Sequence, residues 1–265
     1  MEGGMLREVL ERLVKGQISI DDAERALRLL AVEEVGNLAR IDLGREFRKG
    51  IPEVILAEGK RLDDVAEIAL RMLNEKGRAI VSRASKEQMD LVKKIAPQGS
   101  FFHVNDKAGM MIIRKEGFEI RRTGGKVGIL TAGTSDIPVA EEARIIAEEM
   151  GCEVITAYDV GVAGIHRLFP PLKEMTEGDV DAVVVVAGRE GALPSVVAGL
   201  VDVPVIAVPT SVGYGLGEKG VSALMAMLQA CSLGLAVVNI DGGVAAGAVA
   251  ALIANRAAKF KEHRE

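Results

Sequence analysis

Four glycine-containing loops hold most of the residues of this chain that could bind a ligand or carry chemistry. Each loop follows a short apolar run typical of a β-strand, and together they span residues 131–136, 159–167, 187–195 and 209–215. In open parallel α/β sheets, ligands bind outside the carboxyl ends of the strands. The four loops therefore predict a ligand site at one edge of a parallel sheet.

The first loop contains Gly133, Thr134, Ser135 and Asp136 and leads into a helix. Free amides and hydroxyls at a helix N-terminus form a cradle for phosphate, although an N-cap without a ligand fits the same pattern. The carboxylate of Asp136 argues against bare phosphate, because it would repel one. It could instead accept ribose hydroxyls or help to hold a metal ion.

The second loop contains Gly161 and Gly164, which allow a ligand to approach the backbone closely. Arg167 could bind a phosphate through two parallel hydrogen bonds. A lone histidine is more often structural than catalytic, so His166 by itself is a weak catalytic candidate.

The third loop places Glu190 between Gly188 and Gly191, directly after a fully apolar strand. A glutamate at such a position is usually solvated. Partial burial at the edge of the sheet would favour its protonated form and suit it to proton transfer. The pattern slightly favours a functional role.

Cys231 lies late in a predicted helix that begins near Glu218, among small apolar neighbours. Free cysteine commonly behaves as a small buried hydrophobic residue, and Cys152, just before a predicted strand, fits this description too. From its spacing alone, Cys231 is therefore a weak candidate for a nucleophile.

The composition favours a globular cytoplasmic protein. The chain has 265 residues, of which 49% are hydrophobic, a net charge of −5, three scattered histidines and two cysteines without metal-site spacing. Its charges lack the clustered basic face of a nucleic-acid surface. No secretory signal is visible, and no apolar run reaches the ~18 residues of a membrane span. We therefore expect a cytoplasmic location, with neither nucleic acid nor membrane as a partner.

Two patterns divide the chain. Residues 1–122 mix amphipathic helices, with Ser19 in a capping position, and short strands around an irregular segment at 41–60. This predicts a smaller α+β domain. From residue 123, short β-branched runs alternate with helices, and continuous Val/Ile runs indicate strands buried on both faces. Residues 123–265 are therefore predicted to form an α/β domain, with a parallel sheet flanked by helices.

Individual elements follow from the same periodicities. A helix is expected over 62–74, with Val65, Ile68, Ala69 and Met72 on one face. In the second domain, strands are expected near 127–131, 153–158, 182–187, 204–208 and 235–239, and helices near 137–150, 164–175, 192–201, 218–232 and 243–260.

Several motifs, taken together and in order, resemble the LarB family, which takes the first step in building the nickel-pincer nucleotide cofactor of lactate racemase. They are Thr131–Asp136, Asp159–Leu168, Ala187–Gly199, Pro204–Gly215 and Val237–Gly243, with the N-terminal stretches Ile41–Arg45 and Arg48–Val54. The core is also similar to PurE, the aminoimidazole-ribonucleotide carboxylase/mutase, through Ala132–Asp136 and Ala163–Arg167. Residues 217–220 depart from the Gly/Asn-rich loop of the LarB type. The resemblance implies a PurE/flavodoxin-like fold for the second domain.

The resemblance also implies a reaction. Its substrate would be nicotinic acid adenine dinucleotide, carboxylated by CO2 or bicarbonate at C5 of the pyridinium ring. Hydrolysis of the phosphoanhydride would give pyridinium-3,5-biscarboxylic acid mononucleotide and AMP. The family pattern makes Cys231 the nucleophile and Glu190 the catalytic carboxylate, with His166 as a third catalytic candidate. It further implies Mg²⁺, whose ligands are unknown, and a homo-oligomer, an octamer if PurE-like.

Candidate substrate-binding residues occur in all four loops. They are Gly133, Thr134, Ser135, Asp136, Gly161, Gly164, Arg167, Gly188, Gly191, Ala192, Leu193, Pro194, Ser211, Gly213 and Tyr214. Two other functions stay open. A PurE-like aminoimidazole ribonucleotide carboxylase or mutase would not need Cys231, and a non-catalytic nucleotide-binding module would bind substrate and release no AMP.

Overall fold

The computed structural model describes residues 2–28, 32–35, 39–42, 44–213 and 215–261. The chain splits into two units. The first comprises Met1–Val104 and Met111–Phe118, and the second comprises Asn105–Met110 and Glu119–Glu265. The predicted boundary between residues 122 and 123 stays a prediction.

The first unit opens with two short helices, α1 (Glu2–Val14) and α2 (Ile20–Arg28). The hydroxyl of Ser19 accepts a hydrogen bond from the Asp22 amide at 3.1 Å and donates one to the Asp22 carboxylate at 2.7 Å. These bonds satisfy a free amide of the first turn. The predicted capping role of Ser19 is therefore confirmed.

The rest of the first unit consists of two sheets and the helices between their strands. Its elements are β1 (Val32–Val35), β2 (Ala39–Asp42), α3 (Arg45–Lys49), β3 (Ile55–Leu56), α4 (Leu62–Lys76), β4 (Arg78–Ser82), α5 (Lys86–Ile95), β5 (Phe101–Asn105) and β6 (Met110–Arg114). Strands β1 and β2 pair antiparallel, and the larger sheet has the order β3-β4-β6-β5. Because α3 and β3 lie within residues 41–60, the prediction of an irregular segment there was wrong in part.

The apolar face of α4 contributes to the core of this unit. Val65, Ile68, Ala69 and Met72 are all buried, as the helical period predicts. They belong to the same apolar cluster as Ile113 of β6.

Strands and helices alternate through the second unit. Its elements are β7 (Lys126–Thr131), α6 (Ile137–Glu149), β8 (Glu153–Ala157), α7 (Phe169–Glu177), β9 (Ala182–Ala187), α8 (Leu193–Ala198), β10 (Val205–Pro209), α9 (Val221–Leu228), β11 (Leu235–Val237) and α10 (Gly243–Lys261).

The five strands form one parallel sheet in the order β11-β10-β9-β7-β8. Counted within this unit, that is the flavodoxin-like doubly wound order 2-1-3-4-5. All six residues of the central strand β9 are buried, which explains its apolar run without alternation. Cys152 is fully buried, as predicted, and burial raises the pKa of its thiol to about 11. The predicted α/β class, with a parallel sheet flanked by helices, is confirmed.

Three predicted helices are shorter than expected, and the one expected near 192–201 covers only Leu193–Ala198. Residues 162–167 form a 3₁₀ turn, and α7 starts afresh at Phe169 because Pro170 and Pro171 fit only the first turn of a helix. The helix expected over 218–232 ends at Leu228. Cys231 therefore lies in the link between α9 and β11 and not in the helix.

Helices α6 and α10 pack against each other through small residues. A Cβ at Gly247 would lie 2.4 Å from the carbonyl oxygen of Ala143, and one at Gly243 would lie 2.2 Å from that of Val139. This approach requires glycine, and it holds together two helices that each begin at the carboxyl edge of the sheet. Among the described residues, no helix combines the length and the apolar character needed to cross a membrane.

Candidate active site

A cavity of about 530 Å³ lies at the carboxyl edge of the five-stranded sheet, lined by the loops that follow β7, β8, β9 and β10. The strand order reverses between β7 and β9, beside this cavity. Doubly wound sheets bind their ligands at such a switch point, and the volume is within the ~300–1,000 Å³ typical of small-molecule sites. The cavity is therefore the candidate active site.

Most of the predicted site residues line this cavity. They are Gly133, Ser135, Asp136, Gly161, Gly188, Glu190, Gly191, Ala192, Leu193 and Gly213. Seven others are described by the structure but are not among the lining residues, namely Thr134, Gly164, His166, Arg167, Pro194, Ser211 and Cys231. Tyr214 lies outside the described residues.

Asp136 joins three of the loops through its carboxylate, which is buried. Its two oxygens accept hydrogen bonds from the Thr210 hydroxyl at 2.7 Å and the Gly133 amide at 2.9 Å, and the Gly188 backbone also bonds to it. Burial raises the pKa of Asp136, although these three donors act to lower it. The side chain predicted to cap α6 thus turns back and holds the loops together.

Gly188 is tightly packed at the centre of the site. A Cβ there would lie 2.4 Å from the carbonyl oxygen of Val212 and 2.7 Å from Oγ1 of Thr210. The amide of Gly191, whose φ is +64°, closes the following turn by donating to the Gly188 carbonyl at 2.8 Å. This turn brings Glu190 to the cavity with an exposed side chain. In the single chain Glu190 is therefore solvated, as a glutamate at such a position usually is, and not partly buried.

A polar cluster around the buried carboxylate of Glu141 anchors the loop after β8. Tyr158 donates a hydrogen bond to Glu141, and Arg144 donates two to the same carboxylate, at 2.8 and 2.9 Å. Burial would raise the pKa of Glu141, but the bonds from Arg144 and Tyr158 outweigh it and hold that pKa below its ordinary value. Burial and the bond to Glu141 raise the pKa of Tyr158 to about 12. Tyr158 is therefore a protonated donor at neutral pH, and it ties the start of the loop to α6.

Two glycines shape the rest of this loop. A Cβ at Gly161 would lie 2.5 Å from the carbonyl oxygen of Ala132, and one at Gly164 would lie 2.6 Å from Nε of Arg167. Arg167 pairs with Asp159 at 2.6 Å, and both side chains are exposed. In this conformation, the guanidinium of Arg167, which was expected to bind phosphate, is instead paired with the carboxylate of Asp159.

His166 and Cys231, two of the three catalytic candidates, have exposed side chains outside the cavity lining. Next to Cys231, the hydroxyl of Ser232 donates to the Ser195 carbonyl at 2.7 Å. Ser195 belongs to α8, whose first residue, Leu193, lines the cavity. Cys231 is thus the sequence neighbour of Ser232, which contacts helix α8 at the border of the cavity.

The fourth loop is tied to the end of the sheet through Asp241. Its Oδ1 accepts a hydrogen bond from the Ser211 amide at 2.8 Å. Besides burial, the charge of Asp241 contributes to the raised pKa of Asp136. Two carboxylates therefore influence each other at this edge, and Gly213 extends the same loop to the cavity.

The acidic side chains that line the cavity are Asp136 and Glu190. Within the described part of the chain, no group of three His, Cys, Asp or Glu side chains could hold a metal ion. Magnesium usually keeps several waters and binds one or two carboxylates together with substrate phosphates. The donors among the described residues therefore do not form a site for a metal held by the protein alone.

Sequence reasoning did not single out two residues of this site, Arg189 and Thr210. Arg189 lines the cavity, and its position between Gly188 and Glu190 could have indicated this. The bond between Thr210 and Asp136 joins residues 74 positions apart, and no local pattern reveals such a pair.

Family comparisons account for both parts of the chain. Residues 126–264 match the AIR carboxylase family, so the sheet and its glycine loops are those of a PurE-like carboxylase core. Residues 32–115 match the LarB/PurE-like N-terminal domain. With both domains in one sequence, the chain belongs to the LarB family.

Individual relatives show the same division. An uncharacterized protein of Methanocaldococcus jannaschii is 47% identical over 254 residues, which cover 95% of this chain and 98% of that protein. The N5-carboxyaminoimidazole ribonucleotide mutase of Thermotoga maritima is 30% identical over 150 residues, covering 53% of this chain and 84% of the mutase. The mutase of Methanocaldococcus jannaschii is 34% identical over 144 residues, covering 52% and 87%. These mutases therefore match only about half of the chain.

Proposed function

We propose that this protein carboxylates C5 of the pyridinium ring of nicotinic acid adenine dinucleotide and hydrolyses its phosphoanhydride. The products are pyridinium-3,5-biscarboxylic acid mononucleotide and AMP. The observation that carries the proposal is the LarB-type N-terminal match over residues 32–115, joined to an AIR carboxylase domain over 126–264. The mutases align with only 53% and 52% of the chain, so a function shared with them leaves the first part unexplained.

The chemistry assigns a task to Cys231 and Glu190. A pyridinium ring is electron-poor, so its C5 cannot attack CO2. Addition of the Cys231 thiolate at C4 breaks the aromaticity and leaves an enamine whose C5 is nucleophilic. C5 then forms a bond to the carbon of CO2. Glu190 accepts the proton of C5, and the electron pair of that C–H bond restores the ring as the thiolate leaves.

The charges of the cavity support a cationic ring as ligand. Asp136 and Glu190 place two carboxyl groups against one guanidinium, that of Arg189. A concave site with a surplus of one sign attracts a group of the other sign. Glu190, which is exposed to the cavity, is accessible to a proton on the bound ring.

The ribose and phosphate have partners in the first loop. A carboxylate has about four acceptor positions, and three donors already bind Asp136. One position is left for a ribose hydroxyl. Ser135 lines the same wall, where its amide and hydroxyl suit a phosphate. Magnesium carried by the phosphates would neutralise the charge on the phosphate that leaves as AMP.

The position of Cys231 supports a site shared between subunits. Cys231 does not line the cavity of its own chain as described. Near it in sequence, Met225, Leu228 and Leu233 are 53%, 62% and 91% exposed. A partner subunit would cover such apolar residues. In the proposed homo-oligomer, an octamer by resemblance, Cys231 of the partner subunit would enter the cavity. A cytoplasmic location belongs to the same proposal, and the two free thiols support a reducing compartment.

A second candidate is the reaction named for the relatives, that of an N5-carboxyaminoimidazole ribonucleotide mutase. Identities of 30% and 34% over the second part of the chain favour it. It gives no role to Cys231. A non-catalytic nucleotide-binding module remains the third alternative, and it would release no AMP.

The test is mass spectrometry of the purified full chain incubated with nicotinic acid adenine dinucleotide, isotopically labelled bicarbonate and magnesium. We expect labelled pyridinium-3,5-biscarboxylic acid mononucleotide and an equal amount of AMP. Intact dinucleotide with folded, oligomeric protein would contradict the proposal. Conversion of N5-carboxyaminoimidazole ribonucleotide in a parallel reaction would then establish the second candidate.

A further inference from the structure

Arg189 stands out among the residues of the cavity by its backbone. It follows Gly188 at the carboxyl end of β9 and adopts a φ of +47°, in the left-handed region that L-residues adopt only at an energetic cost. Glycine would fit this position without that cost. Residues held in such conformations cluster at ligand sites, where the surrounding structure stabilises them. The backbone of Arg189 is therefore of the kind found at ligand sites.

The charge of Arg189 is distinctive at this site. Of the described residues that line the cavity, Arg189 is the one with a cationic side chain. Arg167, which the sequence suggested as a phosphate ligand, is paired with Asp159 at 2.6 Å outside the lining. An anionic group that enters the cavity would otherwise meet the carboxyl groups of Asp136 and Glu190.

The backbone around Arg189 is held in place from two sides. The hydroxyl of Ser222 donates to the Arg189 carbonyl at 3.2 Å. Two residues on, Gly191 is packed so closely that a Cβ there would lie 2.7 Å from the carbonyl oxygen of Ala223. Such support fixes the origin of the side chain before a ligand binds, which is how a recognition residue gains selectivity.

We propose that Arg189 binds an anionic oxygen group of the substrate inside the cavity. The proposal rests on the proposed function for the identity of that substrate, which offers two such groups: the carboxylate of the nicotinate ring and the phosphates. Guanidinium recognises both through paired hydrogen bonds. The positive charge of Arg189 also offsets the charges of Asp136 and Glu190. Those two carboxyl groups favour the cationic ring of the substrate but repel the anionic groups attached to the ring.

The test compares Arg189→Met with Arg83→Met in the full chain. Methionine keeps an unbranched side chain and the same backbone requirement, so the variant removes the charge and the hydrogen-bond donors. Arg83 is a matched control, because it is also left-handed, with φ of +52°, and pairs with Glu58 in the first unit. Arg189→Lys retains the charge without the paired donors.

Binding is measured by equilibrium dialysis with three probes: nicotinic acid adenine dinucleotide, its nicotinamide counterpart NAD⁺ and ribose 5-phosphate. We expect Arg189→Met to bind the nicotinic acid dinucleotide about 10- to 100-fold more weakly, the range for loss of charged hydrogen bonds. Arg83→Met should bind within about twofold of wild type, the size of effect typical of a surface change away from a site. Arg189→Lys should fall between wild type and Arg189→Met.

The probes distinguish the two anionic groups. If only the nicotinic acid dinucleotide weakens, the partner of Arg189 is the ring carboxylate, which NAD⁺ lacks. If all three probes weaken alike, the partner is phosphate. Unchanged binding of all three by Arg189→Met would overturn the proposal. A wild type that binds ribose 5-phosphate through Arg189 but no nicotinate dinucleotide would support Arg189 and contradict the proposed function. A wild type that binds none of the probes would contradict both.

Discussion

Replacement of Thr210 by valine removes one hydrogen bond from the buried carboxylate of Asp136. Thr210 is fully buried, and its hydroxyl donates to Oδ1 of Asp136 at 2.7 Å. Valine has nearly the same shape, and the backbone amide of residue 210 keeps its bond to the Ala187 carbonyl at 3.2 Å. The variant therefore measures how much the hydrogen bond from Thr210 to Asp136 contributes to the free energy of unfolding.

The expected loss of stability follows from the charge of the acceptor. A hydrogen bond to a charged group contributes about 1.5–3 kcal/mol, and one between neutral groups about 0.5–1.5 kcal/mol. Asp136 is only 5% exposed, so solvent screens little of this interaction. Where Asp136 is ionised, we expect Thr210→Val to lower the free energy of unfolding of the second unit by about 1.5–3 kcal/mol.

The pH dependence has a definite sign. Burial already raises the pKa of Asp136 above its ordinary value of 3.8. Between that value and the folded-state pKa, the folded protein holds more protons than the unfolded chain, so stability falls as the pH rises. Loss of the Thr210 donor raises the folded-state pKa further. The deficit of the variant is therefore smallest at acid pH and grows by about 1 kcal/mol as the pH rises through the folded-state pKa of Asp136.

The assay is urea unfolding followed by tyrosine fluorescence. The chain has no tryptophan, and both tyrosines, Tyr158 and Tyr214, belong to the second unit, so the signal reports that unit alone. Thr131→Val is the matched control. Thr131 is also fully buried, but its hydroxyl accepts a bond from the Asp159 amide at 3.0 Å. We expect Thr131→Val to cost about 0.5–1.5 kcal/mol, with little change with pH.

Two results would refute this reasoning. One is a deficit of Thr210→Val that stays constant as the pH is raised above 3.8, the ordinary pKa of the carboxyl group, because Asp136 should change its protonation as the pH rises. The other is a deficit at neutral pH no larger than that of Thr131→Val. Either result would mean that Asp136 does not bear a buried charge stabilised by Thr210.

Two further predictions concern the cavity and the sharing of the site. Gly188→Ala should destabilise the second unit by about 1–3 kcal/mol and weaken nucleotide binding, because its Cβ would crowd the neighbouring backbone. Gly199→Ala, whose Cβ would meet atoms at 3.5 and 3.7 Å, should be neutral or stabilising; equal unfolding midpoints for the two variants would contradict the packing. Cys231→Ala and Glu190→Gln should each abolish carboxylation. When equal amounts of the two variants are unfolded and refolded together, about a quarter of the activity should return, because random assembly places an intact Glu190 opposite an intact Cys231 in about a quarter of the shared sites. An inactive mixture with the wild-type oligomeric state would place both residues in one subunit.

The elements of the second unit could be predicted from the sequence because their signals are local. The continuous apolar run Ala182–Ala187 indicates a strand buried on both faces. The end of α9 at Leu228 could not be predicted in this way, since residues 229–231 contain neither glycine nor proline. The bond of Ser232 to Ser195, a tertiary contact, instead accompanies the departure from the helix.

The site could be predicted as a set of loops but not as a set of bonds. The glycines of the loops predicted the place of the cavity, because Gly188 and Gly161 stand where the backbone is too crowded for a side chain. Such a requirement for glycine is visible in the sequence at the position itself. The role of Asp136 could not be predicted, since its partner Thr210 lies 74 residues away.

The two candidate reactions differ most at a residue outside the binding loops. An aminoimidazole ring carries an amino group that makes the carbon to be carboxylated nucleophilic from the start. A pyridinium ring is a cation, and its C5 must first gain electron density, which addition of a thiolate at C4 supplies. Loops that hold ribose and phosphate serve either ring equally well. The choice between the two functions therefore depends on Cys231, in the exposed link between α9 and β11, and on whether its thiolate reaches the ring beside Glu190.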